Sequence, residues 1–215
     1  MRIGRVEVVR LVVGPLKTNV YMLLDDTGHA AIVDAGPGSF TKILYVLDRW
    51  PFKVKYVFLT HAHFDHISDA GFIKDLTGAD IVLHSMDREV ARFSRRYAEA
   101  VGIRWSFSKE DIPIGGNEVF KFGDIEVRAI HTPGHTPGSV CYLVNNESLF
   151  SGDTLLHLSV GRTDLPGGSW SDMRESLKRL ARLPPTTYVF PGHGRPTSIG
   201  DELAANPYLR RFRRT

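Results

Sequence analysis

Residues 60–66 read Thr-His-Ala-His-Phe-Asp-His, and the assignment of the fold starts from this stretch. The residues before it, 54–59, are Val-Lys-Tyr-Val-Phe-Leu, and this β-branched, aromatic and aliphatic composition predicts a buried strand. The residues after it, 68–76, predict a helix capped by Ser68 or Asp69. The polar cluster therefore lies on a loop at the carboxyl end of a strand, where α/β proteins commonly place functional residues.

The polar residues of this loop point to metal binding. Three imidazoles and one carboxylate fall within six residues, at His61, His63, Asp65 and His66. A single loop histidine is most often solvated or hydrogen-bonded. Neutral imidazole and carboxylate at this density are typical ligands of zinc and similar ions.

Length and composition are those of an ordinary globular protein. The 215 residues favour one domain, 1–215, that is long enough to bury a substantial core. There is no run of about eighteen apolar residues, so no membrane span and no membrane partner are expected. Arg5, Glu7 and Arg10 interrupt the apolar residues near the N-terminus, which favours a cytoplasmic location over secretion.

Charge and cysteine content add two further expectations. The net charge is +3, with arginines grouped in residues 84–104 and near the C-terminus. Because no nucleic-acid motif accompanies these arginines, we interpret them as a solvated face and do not expect a nucleic-acid partner. The single cysteine, Cys141, lies in the apolar stretch 139–144 and is predicted to be a buried core residue.

The order of predicted elements favours an α/β sandwich of two sheets with helices outside. Two successive series of strands followed by helices account for most of the chain. The predicted strands are 6–13, 19–24, 30–34, 54–59, 80–83, 118–122, 125–130, 139–144, 149–150 and 187–190. The predicted helices are 40–50, 69–77, 85–102, 171–183 and 199–210.

Residues 85–117 are interpreted as a flap or insertion. The first part, 85–102, is helical in pattern, whereas 103–117 show no clear periodicity. Trp105 and Phe107 in this segment would either line a pocket or hold the flap against the body of the protein.

Further polar residues follow the ends of other predicted strands, and glycines flank several of them. If these strand ends converge, the side chains line one rim. The candidate ligands are then His61, His63, Asp65, His66, His135, Asp153 and His193. Asp34 also follows a strand, either as a turn residue before Gly36 or as a residue that orients an imidazole.

Seven candidates are too many for one catalytic zinc, which commonly takes about three protein ligands. Two ions with three ligands each and one shared carboxylate would use all seven. Such a carboxylate holds two ions about 3.5–4 Å apart, and water between them becomes hydroxide near neutral pH. The sequence therefore predicts two divalent metal ions, zinc in the first instance and iron or manganese otherwise, with a bridging hydroxide as the nucleophile.

These motifs resemble those of the metallo-β-lactamase superfamily. They are His61-x-His63-x-Asp65-His66, His135 within His-Thr-Pro-Gly-His, Asp153 within Ser-Gly-Asp-Thr-Leu, and His193 within Pro-Gly-His-Gly. Residues 161–168 and the Asn-Pro-Tyr-Leu of 206–209 are similar to the short glyoxalase II-like, or hydroxyacylglutathione hydrolase-like, branch. The resemblance runs over nearly the whole chain and implies the four-layer αββα sandwich of the metallo-β-lactamase fold.

The resemblance also implies a role for each ligand. The first ion would be held by His61, His63 and His135. The second ion would be held by Asp65, His66 and His193, and Asp153 would bridge the two. Asp65 would in addition orient the hydroxide, which makes it the candidate catalytic residue. Thr60 and Asp34 would orient imidazoles, and His131, which is not a ligand in its motif, would be structural or would support a ligand.

The implied activity is hydrolysis of a small-molecule thioester or a similar anionic substrate. Arg162 could bind a carboxylate of the substrate, although no motif assigns that role. One alternative is a persulfide dioxygenase-like enzyme with a single iron on His61, His135 and Asp153. Others are hydrolases of lactones, phosphodiesters or β-lactams. The Pro-Gly-His-Gly motif at His193 favours the dinuclear hydrolases. Neither the oligomeric state nor the thiol of the substrate is predicted.

Overall fold

Two β-sheets pack face to face, and helices cover the outer face of each sheet. The computed structural model describes residues 1–213, and Arg214 and Thr215 lie outside the described residues. One apolar core fills the space between the sheets, and two further cores lie between each sheet and its helices. The four-layer αββα sandwich implied by the motifs is confirmed.

The first sheet has seven strands in chain order. Its first four strands form an antiparallel meander, and the last three are added in parallel. The strands are β1 (Arg2–Ile3), β2 (Val6–Val13), β3 (Thr18–Leu24), β4 (His29–Val33), β5 (Lys53–Phe58), β6 (Asp80–His84) and β7 (Ile112–Ile114).

The second sheet has six strands in the order β13-β12-β11-β10-β9-β8. Neighbouring strands are antiparallel except β11 and β12, which are parallel. The strands are β8 (Val119–Phe122), β9 (Ile125–His131), β10 (Val140–Val144), β11 (Ser148–Gly152), β12 (Tyr188–Pro191) and β13 (Thr197–Ser198).

Helices from the first half of the chain cover the first sheet, and helices from the last part of the chain cover the second sheet. They are α1 (Ser39–Arg49), α2 (Phe64–Ile67), α3 (Ala70–Thr77), α4 (Arg88–Ala100), α5 (Trp170–Leu180) and α6 (Ile199–Ala205), with 3-10 turns at Ser85–Asp87 and Arg210–Phe212. The helix predicted over 199–210 ends at Ala205 because Asn206 is extended and Pro207 follows it. Among the described residues, no helix is long and apolar enough to cross a membrane.

Central strands are buried on both faces, which explains their continuous apolar sequence. In β3, Tyr21 and Leu23 enter the core between the sheets, whereas Val20 and Met22 face the helices. Cys141 of β10 likewise faces α5 and α6 and is fully buried, as predicted. Side chains alternate because successive residues of a strand point to opposite faces.

The strands that precede the polar loops point toward one edge. In the first sheet, β4, β5 and β6 are parallel. In the second sheet, β9, β11 and β12 run the same way because β10 is antiparallel to both β9 and β11. Loops from the ends of these strands can therefore meet at one edge of the sandwich.

Residues 85–117 are part of the sandwich, so their prediction as a flap or insertion is wrong in this respect. Residues 112–114 form β7 and pair with β6 at the edge of the first sheet. Val90 of α4 and the 5% exposed Phe107 belong to the core over that sheet, and Trp105 packs against it. The sequence did not predict this because a three-residue strand is too short to show hydrophobic periodicity. The loop beside it is held by single side chains and shows none either.

Candidate metal centre

Four loops that follow strands carry all seven predicted ligands. His61 and His63 follow β5, and α2 begins directly after them and carries Asp65 and His66. The remaining three ligands follow β9, β11 and β12 and are His135, Asp153 and His193. The fold thus brings together residues that lie up to about 130 positions apart in the chain. They meet because the carboxyl ends of β5, β9, β11 and β12 converge.

Two glycines allow these loops to approach closely. Gly152 has a positive φ of 49°, and a Cβ there would lie 2.5 Å from the Thr60 hydroxyl oxygen. A Cβ at Gly192 would lie 2.3 Å from Asp153 Oδ1. Side chains at these positions would push the strands of the two sheets apart at the site.

The first three imidazoles form one compact set. His61, His63 and His135 offer ring nitrogens that all lie within 4.8 Å of one another. His63 Nδ1 and His135 Nε2 are 2.9 Å apart. The ring centre of His61 lies 4.9 Å from that of His63 and 4.7 Å from that of His135. These three side chains match the set implied for the first ion.

Asp65, His66 and His193 form a second set beside the first. Asp65 Oδ2 lies 3.4 Å from His66 Nε2 and 3.2 Å from His193 Nε2. The two imidazole nitrogens are themselves 3.3 Å apart. This set matches the residues implied for the second ion.

The Asp153 carboxylate faces both sets. Its Oδ2 atom lies 3.6 Å from His135 Nε2 in the first set and 3.6 Å from His193 Nε2 in the second. Its Oδ1 atom lies 3.7 Å from His66 Nε2. One carboxylate between two sets of ligands is the arrangement that a shared, bridging ligand requires.

The electrostatic state of the first set suits a cation. His61 Nε2 and Asp153 Oδ1 are buried and have no hydrogen-bond partner, which is costly unless another group satisfies them. Burial and the neighbouring imidazoles hold the pKa of His61 well below its ordinary value. Burial likewise lowers the pKa of His63 to about 4. Both rings are therefore neutral and have a lone pair available for a metal, so these residues fit the group.

The second set holds opposite charges together. Burial lowers the pKa of His66, but the carboxylates of Asp65, Asp34 and Asp153 outweigh burial and raise it well above the ordinary value. Burial raises the pKa of Asp65, but His66 and a hydrogen bond from His193 outweigh it and lower the pKa strongly. Asp65 is thus ionised, and a cation bound here would displace a proton from His66.

Asp34 and Thr60 orient the imidazoles behind the two sets, as predicted. His66 Nδ1 donates to Asp34 Oδ2 at 2.8 Å, and the Thr60 hydroxyl donates to the same carboxylate at 2.9 Å. Thr60 Oγ1 also lies 3.1 Å from His61 Nδ1. These contacts direct Nε2 of both rings toward the site. Asp34 does this from a left-handed backbone conformation with φ 64°.

Backbone carbonyls orient two further candidate ligands, and no motif predicted these contacts. His135 Nδ1 donates to the Arg162 carbonyl oxygen at 2.7 Å. His193 Nδ1 donates to the Leu16 carbonyl oxygen at 3.1 Å. Since a carbonyl can only accept, each ring presents Nε2 to the site.

Two side chains at the site were missed in the sequence. Thr18 Oγ1 donates to Asp65 Oδ2 at 2.8 Å. The buried Asp87 carboxylate accepts hydrogen bonds from the backbone N–H of Ala62 at 2.8 Å and of Gly138 at 2.7 Å. Asp87 therefore ties the loop of His61 to the loop of His135. A carboxylate shortly after the predicted strand 80–83 was the available signal for Asp87, whereas nothing local distinguished Thr18.

Comparison with known families agrees with this geometry. A family profile described as "Metallo-beta-lactamase superfamily" matches residues 13–193. The chain belongs to the metallo-β-lactamase superfamily.

Relatives within the superfamily include proteins named as hydrolases. The probable metallo-hydrolase YqgX of Bacillus subtilis is 33% identical over 94% of this chain and 97% of its own length. The hydroxyacylglutathione hydrolase GloC of Haemophilus influenzae is 30% identical over 89% of this chain and 92% of its own length. The chain is therefore a metal-dependent hydrolase-like member of the superfamily.

Solved structures of superfamily members superpose on the whole sandwich. BLEG-1, described as a B3 metallo-β-lactamase, has a TM-score of 0.87 at 34% identity and covers 94% of this chain and 99% of its own. TTHA1623, solved in a di-iron-bound form, has a TM-score of 0.83 at 33% identity and covers 94% of this chain and 100% of its own.

The ligand sets of this superfamily member open into a cavity of about 730 Å³. Both sets reach the cavity, through His63 and His135 on one side and Asp65 and His193 on the other. Arg162 lies at its rim, where the guanidinium donates to the Asp164 carboxylate at 2.8 and 2.7 Å.

The remaining histidines lie outside the two sets. His131 stacks on His84 with ring centres 4.2 Å apart, and its Nε2 lies 2.9 Å from the Pro137 carbonyl oxygen. This contact agrees with the structural role expected for His131. His157 Nδ1 lies 3.1 Å from Glu202, and His29 lies beside Asp25 at the far end of β4.

Proposed function

We propose that this protein is a dinuclear metal-dependent hydrolase that acts on thioesters, as the glyoxalase II-like branch does. The observation that carries the proposal is the position of Asp153, 3.6 Å from a nitrogen of each ligand set. The identity to the hydroxyacylglutathione hydrolase GloC supports the thioester as the substrate class.

The residues of the site divide between two divalent ions. His61, His63 and His135 would hold one, Asp65, His66 and His193 would hold the other, and Asp153 would contact both. Imidazole with carboxylate suits zinc, and the same donors suit iron. We favour zinc, and the di-iron form of the similar TTHA1623 makes iron the alternative.

Ions in these positions would polarise the acyl carbonyl and acidify water at neutral pH. In the hydrolysis, the water oxygen adds to the acyl carbon, the C–S bond breaks, and the thiolate receives the proton that the water loses. Asp65 is the candidate catalytic residue because it is ionised, faces the cavity and can accept a hydrogen bond from the attacking water. The Thr18 hydroxyl, which donates to its Oδ2 atom, holds it in this orientation.

A mononuclear iron dioxygenase of the persulfide dioxygenase type is the second candidate. It would use His61, His135 and Asp153 and would leave the second set without a role. The close approach of Asp65, His66 and His193 supports the hydrolase.

Metal analysis and a thioester assay on the same purified sample test the proposal. We expect two divalent ions per chain and hydrolysis that a chelator abolishes and added metal restores. Parallel assays on a lactone, a phosphodiester and a β-lactam separate the other hydrolases of the superfamily. One iron per chain with oxygen uptake on a persulfide would contradict the proposal.

A further inference from the structure

One wall of the cavity over the metal centre is formed by exposed aromatic side chains of α4. Phe93 is 57% exposed and Tyr97 is 56% exposed, although both are large apolar residues. Four positions separate them, so they lie on the same face of the helix, and this face borders the cavity. The Phe64 ring, 5.1 Å from that of Tyr97, extends the wall toward Asp65.

The opposite wall is also apolar. It is built from the loop that follows Asp153 and from Leu16, which is 52% exposed. The side chains of that loop on the cavity are Leu156, Val160, Leu165 and Pro166. An elongated apolar group could therefore contact side chains on both sides while its end reaches the ligand sets.

Few positively charged side chains that could bind an anionic part of a substrate line this cavity. Outside the two ligand sets, the described residues that line it include a single cation, Arg162, whose guanidinium is bound by Asp164. The neighbouring Arg92 and Arg95 of α4 pair with Glu89 and Glu99 and border a separate groove. Among residues 1–213, the only other polar side chains on the lining are those of Ser94 and Tyr97.

We propose that the cavity selects substrates by an apolar acyl group, aromatic or medium-chain alkyl, and that Phe93 and Tyr97 determine this specificity. The inference rests on the proposed thioester hydrolysis. The occupant must be a small molecule because the apolar walls are continuous with the reacting centre. Removing exposed apolar side chains of this size from water is favourable, so an apolar ligand that covers them gains binding free energy.

The first test measures kcat/KM of the holoenzyme for acetyl, butyryl and hexanoyl thioesters of the neutral thiol N-acetylcysteamine, with the lactoyl thioester of glutathione for comparison. We expect kcat/KM to rise about 3-fold for each added methylene. In Phe93→Ala and Tyr97→Ala the rise should fall to about 1.5-fold per methylene, so that kcat/KM drops far more for the hexanoyl than for the acetyl thioester. Phe93→Leu should restore part of the rise.

A matched control is Tyr45→Ala, which removes an equally exposed aromatic residue of α1 outside the cavity. It should leave the chain-length series as in the wild type. Sedimentation of each variant gives the oligomeric state. A change of oligomeric state in Phe93→Ala would assign the wall to contact between copies and overturn the proposal.

A second test does not depend on turnover. Calorimetry with hexanoate and acetate should show tighter binding of hexanoate, and Phe93→Ala should remove most of the difference. Thioester hydrolysis without chain-length preference would overturn this inference and leave the proposed function intact. Hexanoate binding that depends on Phe93, without hydrolysis of any thioester, would overturn the proposed function and leave the apolar specificity intact. If the protein neither hydrolyses any thioester nor binds hexanoate through Phe93, the proposed function and the apolar specificity are both overturned.

Discussion

Asp34 Oδ2 accepts a hydrogen bond from His66 Nδ1 at 2.8 Å, and neither side chain is exposed to solvent. The contact links the end of β4 to the helical turn that carries Asp65 and His66. It also accounts for an aspartate in a left-handed conformation, which aspartate and asparagine tolerate better than most residues. The orientation of one ligand set thus depends on a residue that lies outside both sets.

Replacing Asp34 tests this link. Asp34→Asn keeps the side-chain shape and tolerates φ 64°, but it removes the charge that favours the Nδ1–H tautomer of His66. We expect the affinity for the second ion to fall about 10- to 100-fold. Metal titration followed by mass spectrometry of the bound ions measures it. Asp34→Ala should show the same loss and an additional destabilisation of about 1 kcal/mol from the strained backbone. Wild-type affinity for both ions in Asp34→Asn would contradict the role given to Asp34.

The Asp153 carboxylate faces both ligand sets. Asp153→Ala removes both oxygens and should lower the metal content from two ions to one or fewer. The hydrolysis rate should fall by at least about 10³-fold, because the group that holds the two positions together is lost. Elemental analysis and a thioester assay on the same sample check both effects. Two tightly bound ions with full activity in this variant would rule out a bridging role.

Asp87 connects the loops of His61 and His135 through two backbone N–H groups. Asp87→Ala leaves these buried donors unpaired, so we expect the free energy of unfolding to fall by about 3 kcal/mol. Chemical denaturation of the metal-free protein measures this change. The exposed Asp124, paired with Arg5 at the surface, is a control, and Asp124→Ala should cost less than about 0.5 kcal/mol. Equal stability of the two variants would contradict the assignment.

The Cys141 thiol should be unreactive toward thiol reagents in the folded protein. Burial raises the pKa of its thiol to about 11, so only about one molecule in a thousand carries a thiolate at pH 8. A thiol reagent should label the native protein slowly and the guanidinium-unfolded protein at once. Cys141→Ala should retain hydrolysis within about 2-fold, apart from a small loss of packing. Rapid labelling of the native protein together with inactivation would give Cys141 a catalytic role.

Local patterns were sufficient to predict the sandwich and to single out the seven candidate ligands that the fold brings together. The seven candidate ligands lie in short motifs directly after strands, and continuous apolar runs allowed strands such as β3 and β10 to be predicted from the sequence. The carbonyls of Leu16 and Arg162, and the hydroxyl of Thr18, could not be predicted because only the folded chain brings them to His193, His135 and Asp65. The three-residue β7 was missed for a related reason: pairing with β6, and not its own pattern, makes it a strand.

The most direct test of the central claim is the number of divalent ions per chain, measured by elemental analysis while hydrolysis of a thioester is followed during metal reconstitution of the chelated protein. We predict two ions per chain, with hydrolysis returning only when both positions are filled. Full thioester hydrolysis with a single ion, or a single iron with oxygen uptake on a persulfide and no thioester hydrolysis, would contradict it.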